Sequence, residues 1–261
     1  MDVNAQAAAL KRVLRVIVDL ASPGWVTHLR NLRWLSREAR LLHERCLRST
    51  NLEDIVDTVM ESEAFRPEQN RSEILALLRL LLTTRPRHLC EVGGLRGGTL
   101  ALFAHVAAPN ARLLSLDIAY TATQIKVYPR FATGQQQITC IPCDSHAAES
   151  QNAVRNWLNG EKLDFLFIDG DHSFAGVAKD FSLYSPFVRR GGILAFHDIV
   201  PDSTARHGVP SSAYAGDVPA FWNELRKVHN DISELVENPN QDGYGIGVLR
   251  WPGDPVAHDA C

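Results

Sequence analysis

The sequence predicts an open, twisted α/β sheet that is covered by helices on both faces and preceded by a helical extension. From residue 87 onward, short apolar runs alternate with helical segments, which is the pattern of βαβ units and a parallel sheet. Up to about residue 85, every periodic segment is helical instead. Two apolar runs near the carboxyl end, joined by a turn sequence, predict a closing antiparallel hairpin.

Length and composition place the chain among ordinary globular proteins. Its 261 residues suit one α/β domain with an appendage, and the 45% of apolar residues are enough for a substantial core. The net charge of -3 gives no general reason to expect nucleic acid or an anionic membrane as a partner. No apolar run approaches the ~20 residues of a membrane helix. The first residues carry charges inside their apolar stretch and lack a clear cleavage site, so we expect a cytoplasmic protein without a signal peptide.

The cysteines predict reduced thiols rather than a disulfide framework. The chain has five of them, and only the pair in "CIPC" is closely spaced: Cys46, Cys90, Cys140, Cys143 and Cys261. That pair could act as a redox dithiol, but it cannot complete a four-ligand zinc site without distant help. Disulfides are rare in the cytosol, which favours free thiols here.

The helical extension, residues 1–70, is expected to serve as a lid or in oligomerisation. Within 28–48, apolar residues recur at spacings of three and four and form one stripe, namely Leu32, Leu35, Ala39, Leu42 and Cys46. We expect this stripe to pack on the core or on a second subunit, so a homo-oligomer is predicted. Arginines lie on roughly the opposite side, and without interleaved aromatic residues they indicate a solvated face rather than a nucleic-acid site.

The remaining elements follow in order. Helices are predicted over 51–65 and 70–84, and Pro86 stops the second because proline lacks an N–H and clashes with the preceding turn. The five strands of the βα units are expected in "HLCEVG", "ARLLSLD", "QITCIPCD", "LDFLFID" and "GGILAFHD". A helix near 218–229 precedes the hairpin strands "ISELVEN" and "YGIGVLRW", which "PNQDG" joins. The sheet domain is thus expected over 71–252, with a loose tail at 253–261.

The end of the first strand, "EVGGLRGGT" at 91–99, predicts a ligand loop. Glycines allow sharp turns and a close approach of the backbone to a ligand. The dinucleotide fingerprint requires G-x-G-x-x-G, but counting from Gly93 the third position is Leu95. A P-loop is excluded as well, because no G-K-[ST] follows.

Acidic residues at three successive strand ends indicate which cofactor the loop binds. Glu91 would repel a pyrophosphate but suits a ligand with ammonium and sulfonium charges, such as S-adenosylmethionine. Asp117 could accept hydrogen bonds from both ribose hydroxyls of an adenosine cofactor, and Asp144 with Ser145 could meet the adenine edge. Each acid alone could be a helix N-cap, whereas three in register favour a binding site.

These motifs, together with "FIDGDHSFAGVAKDFSLYSPFVRRGGILAFHDIVP", resemble class I S-adenosylmethionine-dependent methyltransferases over about residues 70–250. Within that class the chain is similar to bacterial small-molecule O-methyltransferases of antibiotic and sugar tailoring, including those that resemble a cephalosporin-pathway methyltransferase. The resemblance implies a Rossmann-like, seven-stranded, mostly parallel sheet with a C-terminal antiparallel hairpin. The residues expected to contact the cofactor are Glu91, Gly93, Gly94, Gly97, Thr99, Asp117, Asp144, Ser145 and Asp169.

Strands four and five end in ionisable groups that point to the chemistry. A hydroxyl acceptor is a weak acid, so its methylation calls for a metal, a base or both, and carboxylates favour a hard ion such as Mg²⁺. The resemblance implies that Asp169, His197 and Asp198 hold this divalent ion. His197 departs from relatives that have a second acid there, which leaves Mn²⁺, Fe²⁺ or no metal open. An alternative role for His197 is a histidine bonded to backbone at a strand end.

Two residues after Asp169 are candidates for the base that accepts the acceptor's proton. His172 is preferred, because an imidazole with a pKa near 6.5 is mostly unprotonated at pH 7. Asp171 would need a pKa raised by burial, and its alternative role is to orient His172 or to cap the following helix. Ser173 is expected to be the N-cap of that helix.

The sequence therefore predicts an O-methyltransferase that acts on a hydroxyl of a small molecule, a sugar or another natural product. Two alternatives stay open: a cofactor-binding or assembly protein that keeps the fold without turnover, and a nicotinamide-dependent oxidoreductase. The loop at 200–217 follows strand five, where a substrate lid could form, but its sequence does not identify the acceptor.

Overall fold

The computed structural model describes residues 24–211 and 213–253, so the predictions for the first 23 residues and for 254–261 lie outside the described part. The strands are β1 (His88–Val92), β2 (Arg112–Asp117), β3 (Gln137–Pro142), β4 (Leu163–Ile168), β5 (Val188–His197), β6 (Ile232–Leu235) and β7 (Ile246–Arg250). The helices are α1 (Gly24–Arg48), α2 (Leu52–Met60), α3 (Arg71–Thr84), α4 (Gly98–Val106), α5 (Ala122–Val127), α6 (Ala148–Leu158), α7 (Phe174–Tyr184), α8 (Ser203–His207) and α9 (Val218–Val228).

The strands form one seven-stranded sheet in the order β3-β2-β1-β4-β5-β7-β6. The first five are mutually parallel, while β7 runs antiparallel to both β5 and β6. This confirms the predicted Rossmann-like sheet with a closing antiparallel hairpin. Strand order reverses between β1 and β4, and in such sheets ligands bind beyond the carboxyl ends of the strands at this reversal.

Local signals in the sequence explain where the helices begin and end. The Asn70 side chain caps α3 at its N-terminus, and Arg85 ends the helix in a left-handed conformation with φ of 43° just before Pro86. Ser173 accepts a hydrogen bond from the Gly176 backbone and is the N-cap of α7, as predicted. These caps fix the helices relative to the strand ends that they follow.

Two apolar layers sandwich the sheet. One contains α1 to α4, and the stripe predicted on α1 packs there, since Ala39, Leu42 and Cys46 are buried and Leu32 and Leu35 pack against them. The other layer is built from α6, α7 and α9 and includes the buried Trp222 and Tyr184. The α1 stripe therefore belongs to the core of this chain. Three arginines on the other side of α1 form surface ion pairs with neighbouring glutamates, namely Arg37–Glu38, Arg40–Glu44 and Arg48–Glu44.

Several predicted boundaries differ from the structure. The helix expected over 51–65 ends at Met60, because the following residues form turns that place Phe65 in the core. The strands of the hairpin are shorter than predicted, with the whole of 236–245 connecting them. The described cysteines are free thiols, namely Cys46, Cys90, Cys140 and Cys143. Among the described helices, none has the length and apolar character needed to cross a membrane.

Candidate active site

A cavity of about 710 Å³ opens at the carboxyl edge of the sheet. Residues following β1, β2, β3, β4 and β5 line it, together with residues of the loop after β5 and of the β6–β7 connection. Its volume lies in the range of about 300–1,000 Å³ that is usual for small-molecule sites. The structure thus brings the five predicted strand ends to one cavity.

The cavity is strongly acidic. Six carboxylates line it, and none of the described lining residues is a lysine or an arginine. The lining acids are Glu68, Asp117, Asp144, Asp169, Asp171 and Asp198, and the lining histidines are His146, His172 and His197. Such a field favours ligands that carry positive charge and disfavours phosphates and other anions.

The glycine loop after β1 is shaped by its packing within the protein. Gly93 has φ of 89°, and a Cβ there would lie 2.0 Å from the Asp169 carbonyl oxygen. A Cβ on Gly94 would lie 1.8 Å from the Tyr120 hydroxyl. Only glycine fits at these positions, because the loop passes directly against β4 and the α5 region. Of the loop residues predicted to contact a cofactor, Gly93 lines the cavity, whereas Gly94, Gly97 and Thr99 are not among its lining residues.

Glu91 is buried and is not one of the residues that line the cavity. Its side chain is buried away from the cavity lining, and Oε2 accepts a hydrogen bond from Ser115 Oγ at 2.7 Å. Burial, reinforced by the charges of Asp169 and Asp117, raises the pKa of Glu91 to about 8. The carboxyl is therefore mostly protonated at neutral pH, so the expectation of a Glu91 charge facing the cofactor needs correction.

Backbone N–H groups hold the carboxylates at the ends of β2 and β3. Asp117 accepts hydrogen bonds from the amides of Leu95 and Ala119, each at 2.7 Å. Asp144 accepts one from the amide of His146 at 2.8 Å. Neither acid is a helix N-cap, since Thr121 has that position for α5 and Ala147 for α6. Both acids line the cavity with lone pairs left for a ligand.

Asp169, at the end of β4, divides its two oxygens between different partners. Oδ2 accepts a hydrogen bond from Gln69 Nε2 at 3.0 Å. Oδ1 lies 3.2 Å from His197 Nδ1 and 3.4 Å from His172 Nε2. Burial alone would raise the pKa of Asp169, but the two facing imidazoles lower it to about 2. Asp169 is thus an ionised carboxylate at the centre of the cluster.

His197 pairs with carboxylates rather than with backbone. Its Nδ1 lies 3.2 Å from Asp169 Oδ1 and 3.2 Å from Asp198 Oδ2. Burial opposes protonation, yet these two charges raise the pKa of His197 well above its ordinary value. The alternative of a backbone-bonded histidine at this strand end is therefore wrong. His197 is buried and bridges the two acids that the resemblance assigned to a metal.

The donor atoms suited to a divalent ion come from a slightly different trio. One ligand atom each from Asp169, His172 and Asp198 lie within 4.8 Å of one another. Two carboxylate oxygens and one imidazole form a donor set that fits Mn²⁺ or Fe²⁺ and, with water and substrate oxygens, Mg²⁺. His172, rather than His197, is the third member of this set.

The charge state of His172 differs from the unprotonated one that the sequence predicts. Nδ1 donates to the Tyr214 carbonyl at 2.7 Å, and Asp169 and Asp198 face the ring. Burial lowers the pKa, but these carboxylates and the hydrogen bonds raise it to about 9. In this geometry the ring carries its proton at neutral pH, which weighs against its prediction as a ready base.

Asp171 is also not adapted to accept a proton. It is exposed, and its Oδ1 accepts a hydrogen bond from the Ser173 amide at 2.9 Å just before α7. These hydrogen bonds lower the pKa of Asp171. The structure therefore favours its alternative role, which is to hold the start of α7. A base at this position would need a pKa raised by burial, whereas the pKa of Asp171 is lowered.

Three contributors to this site are not among the cofactor, metal or catalytic residues predicted from the sequence. Gln69 precedes the sheet domain by sequence position, yet it contacts Asp169 at the centre of the cluster. His146 lines the cavity, and its Nε2 lies 3.2 Å from the fully buried carboxylate of Asp180. Tyr214, in the 200–217 loop, stacks on His172 with ring centroids 5.5 Å apart. His146 directly follows the predicted Asp144–Ser145 strand end and Tyr214 lies in the loop where a lid is expected, whereas Gln69 belongs to no sequence motif, so only the fold reveals it.

Similarity to known proteins agrees with this architecture. Residues 90–199 match a family model described as a methyltransferase domain. That stretch runs from β1 to just beyond β5 and includes the acids and histidines of the cluster. The matched domain and the seven-stranded sheet agree in showing a Rossmann-like fold similar to that of methyltransferases.

Three solved structures share the fold at low sequence identity. An O-methyltransferase from Bacillus cereus, in complex with S-adenosylhomocysteine, is 15% identical with a TM-score of 0.52, covering 84% of this chain and 99% of that one. The O-methyltransferase TomG from Streptomyces achromogenes, involved in tomaymycin synthesis and bound to S-adenosylmethionine, is 13% identical with a TM-score of 0.51, covering 78% of this chain and 91% of that one. Cofactor-bound Rv0187 from MTB is 19% identical with a TM-score of 0.50, covering 75% of this chain and 86% of that one.

A shorter similarity links the chain to a curated protein. An uncharacterised protein of Acanthamoeba polyphaga mimivirus is 50% identical over 36 residues, which is 14% of this chain. The matched stretch spans only 16% of that protein. It therefore carries no information on activity.

Proposed function

We propose that the protein is an S-adenosylmethionine-dependent O-methyltransferase that methylates a hydroxyl of a small molecule, a sugar or another natural product. The observation that carries the proposal is the acidic cavity at the strand-order reversal, which Asp117 and Asp144 line on one side and the cluster of two aspartates and two histidines lines on the other. The matched methyltransferase domain supports the reaction class. A cytoplasmic homo-oligomer remains our expectation from the sequence.

The cofactor half fits S-adenosylmethionine in charge and in donors. Asp117 offers carboxylate oxygens at the end of β2, where ribose hydroxyls of a bound adenosine are expected. Asp144 and Ser145 line the cavity beyond β3, at the side proposed for adenine. The carboxylates of this half suit the ammonium and sulfonium groups of the methionine part, which an anionic dinucleotide lacks. This charge pattern also disfavours a nicotinamide-dependent oxidoreductase.

The proposed reaction is an in-line displacement. The acceptor oxygen forms a bond to the methyl carbon while the carbon–sulfur bond breaks, and its electron pair stays on sulfur to give S-adenosylhomocysteine. The acceptor's hydroxyl proton must leave to a nearby group. The sequence prediction of His172 as that group applies to a site in which Nε2 is not bound to a cation, because Nδ1 already donates to the Tyr214 carbonyl and a metal-bound ring has no free lone pair. Asp171 is the second candidate from the sequence.

We further propose that Asp169, His172 and Asp198 hold a divalent cation, with His197 pairing to both carboxylates. When bound, such a cation lowers the pKa of an oxygen that it contacts, which is the property a hydroxyl acceptor requires. The chain's own part is to keep the carboxylates ionised and oriented, through His197 and Gln69. Mg²⁺ or Mn²⁺ suits these oxygen-rich ligands.

The test is methyl transfer from labelled S-adenosylmethionine to a panel of sugars, phenols and macrolides, followed by product identification. We expect label in one class of hydroxylated acceptor, equal release of S-adenosylhomocysteine, and loss of turnover in excess EDTA with recovery on adding Mg²⁺ or Mn²⁺. Binding of the cofactor without transfer to any acceptor would favour the alternative of a non-catalytic binding protein. Full turnover in EDTA would refute the metal.

A further inference from the structure

The structure assigns a positioning role to Gln69, which lies outside the matched domain. We propose that Gln69 orients the Asp169 carboxylate so that only one of its oxygens faces the ion-binding cluster. The inference rests on the metal site proposed above, and it adds a residue that no motif of the chain identifies. It also joins the segment before the sheet to the chemistry at the end of β4.

The hydrogen bonds of Gln69 determine how its amide is turned. An ionised aspartate can only accept, so the amide nitrogen must face Asp169, and Nε2 lies 3.0 Å from Oδ2. The amide oxygen then faces Thr99, whose hydroxyl donates to Oε1 at 2.7 Å. Both ends of the amide are thus satisfied in one orientation. Gln69 is buried, with 5% of its surface exposed, so water competes little for these bonds.

The partition of Asp169 follows from this contact. With Oδ2 bonded to Gln69, Oδ1 is the oxygen that meets His172 and His197. A bound cation would therefore find one oxygen of Asp169 presented to it. Carboxylates that ligate metals are commonly held by such outer hydrogen bonds, and removing one typically costs about 10–100-fold in metal affinity.

The position of Gln69 in the chain explains why it can hold this orientation. The next residue, Asn70, caps α3, which packs in the core below the sheet. In the first turn of the same helix, Glu73 accepts a hydrogen bond from the Gly245 amide at 2.8 Å, beside the cavity residue Tyr244. The segment 69–73 is thus bonded to the site at two places, at Asp169 after β4 and at Gly245 before β7. Gln69 is anchored by the core rather than by a surface loop.

The experiment measures Mn²⁺ binding to the full chain by electron paramagnetic resonance, in parallel with S-adenosylhomocysteine binding by calorimetry. The variant Gln69→Leu keeps the size of the side chain and removes both hydrogen bonds. We expect Mn²⁺ affinity to fall by about 10–100-fold, with S-adenosylhomocysteine affinity within about twofold of wild type. Thr99→Val, which removes only the anchor of the amide, should give a smaller loss, and Thr99→Ser should restore wild-type binding.

The matched control is Gln136→Leu. Gln136 is also buried and donates to the carbonyls of Ala104 and Ala108, away from the cavity. It should lower thermal stability without changing the Mn²⁺ affinity of the folded protein. If Gln69→Leu does not fold, Thr99→Val against Thr99→Ser decides the question.

Three results would overturn the inference: wild-type Mn²⁺ affinity in Gln69→Leu or, if that variant does not fold, in Thr99→Val, equal losses of Mn²⁺ and S-adenosylhomocysteine affinity, or no Mn²⁺ binding by the wild type. The proposed function fails separately, if the wild type does not bind S-adenosylhomocysteine. A chain that binds S-adenosylhomocysteine and transfers methyl groups without binding Mn²⁺ would refute the role of Gln69 and leave the transfer intact.

Discussion

The two halves of the cavity hold their acids in different ways. In the half formed by β2 and β3, backbone amides fix Asp117 and Asp144 one by one. In the half formed by β4 and β5, the ionisable side chains hold one another, with Asp169 contacting two histidines and His197 contacting two aspartates. The first half is therefore a set of independent contacts, whereas the second is a coupled cluster.

This difference teaches what each half can tolerate. Removing an acid that is bonded to backbone leaves its neighbours in place, so a substitution there should change one ligand contact. Removing a member of the coupled cluster leaves buried charges without partners, which is strongly destabilising for the site. Substitutions at β4 and β5 are thus expected to affect turnover more than cofactor binding, and those at β2 and β3 the reverse.

The largest effect is expected from His172→Ala. This change removes the ring that faces Asp169 and Asp198 and the candidate proton acceptor of the reaction. We expect kcat to fall by ~10²–10⁴, as for the loss of a general acid or base, with S-adenosylhomocysteine affinity unchanged. Steady-state kinetics and calorimetry on one preparation check both parts. His207→Ala, an exposed histidine on α8, is the control, and normal turnover in His172→Ala would exclude the base.

A second prediction concerns Gly93, in the loop after β1, where the backbone packs against the Asp169 carbonyl between the two halves of the cavity. Gly93→Ala introduces a methyl group into a contact that has no room for it, at a positive φ. We expect a loss of roughly 2–5 kcal/mol in the free energy of unfolding, from overpacking and left-handed strain together. Denaturant unfolding measures it.

The comparison for Gly93 is Gly208→Ala. Gly208 also has a positive φ of 66°, but a Cβ there would meet nothing within 4 Å. Gly208→Ala should lower the free energy of unfolding only by the left-handed strain, about 1–2 kcal/mol. Equal losses at the two positions would show that the contact with Asp169 does not matter.

The fold was largely predictable, because burial and periodicity act locally along the chain. Strand ends could be located from apolar runs followed by acids and glycines, and parallel strands bring such ends to one edge. Three charged ends, Asp117, Asp144 and Asp169, therefore reached one cavity as predicted. The insertion of β7 between β5 and β6 was not predicted, since turn signals do not specify which strand a hairpin joins.

The details of the site were less predictable, for physical reasons. Charge states depend on burial and on partners across the sheet, so neither the neutral Glu91 nor the protonated His172 could be foreseen from ordinary pKa values. Gln69 lies 100 residues from Asp169 along the chain, and a glutamine has no sequence signature for such a contact. The sequence predicts the loop glycines as ligand contacts, whereas Gly94 and Gly97 leave room for the side chains of Tyr120 and Tyr128.

A smaller effect is expected from Glu91→Gln. With its folded pKa of about 8 against an ordinary value of about 4.5, Glu91 keeps a proton on folding that the unfolded chain releases. The folded state binds more protons in this window, so Glu91 lowers stability as pH rises, by up to about 1.4 kcal/mol per pH unit between about pH 5 and pH 8. The difference levels off above the folded pKa.

The measurement is the free energy of unfolding of wild type and Glu91→Gln from about pH 5 to pH 9. The free energy of unfolding of Glu91→Gln should rise relative to that of the wild type as pH increases across the window. Glu161 is an exposed glutamate, so the free energy of unfolding of Glu161→Gln should follow that of the wild type throughout. Parallel curves for wild type and Glu91→Gln would show that Glu91 is ionised in the folded protein.

The most direct test of the account is a calorimetric titration of Asp117→Ala with S-adenosylhomocysteine, beside wild type and Asp231→Ala. Asp231 is an exposed aspartate at the opposite edge of the sheet, so its removal makes the same change in charge away from the cavity. We predict one site in wild type, unchanged affinity in Asp231→Ala, and a loss of about 10- to 150-fold in Asp117→Ala, equivalent to roughly 1.5–3 kcal/mol for a charge-assisted contact. Equal affinities in all three proteins would contradict the assignment of this cavity to the methyl donor.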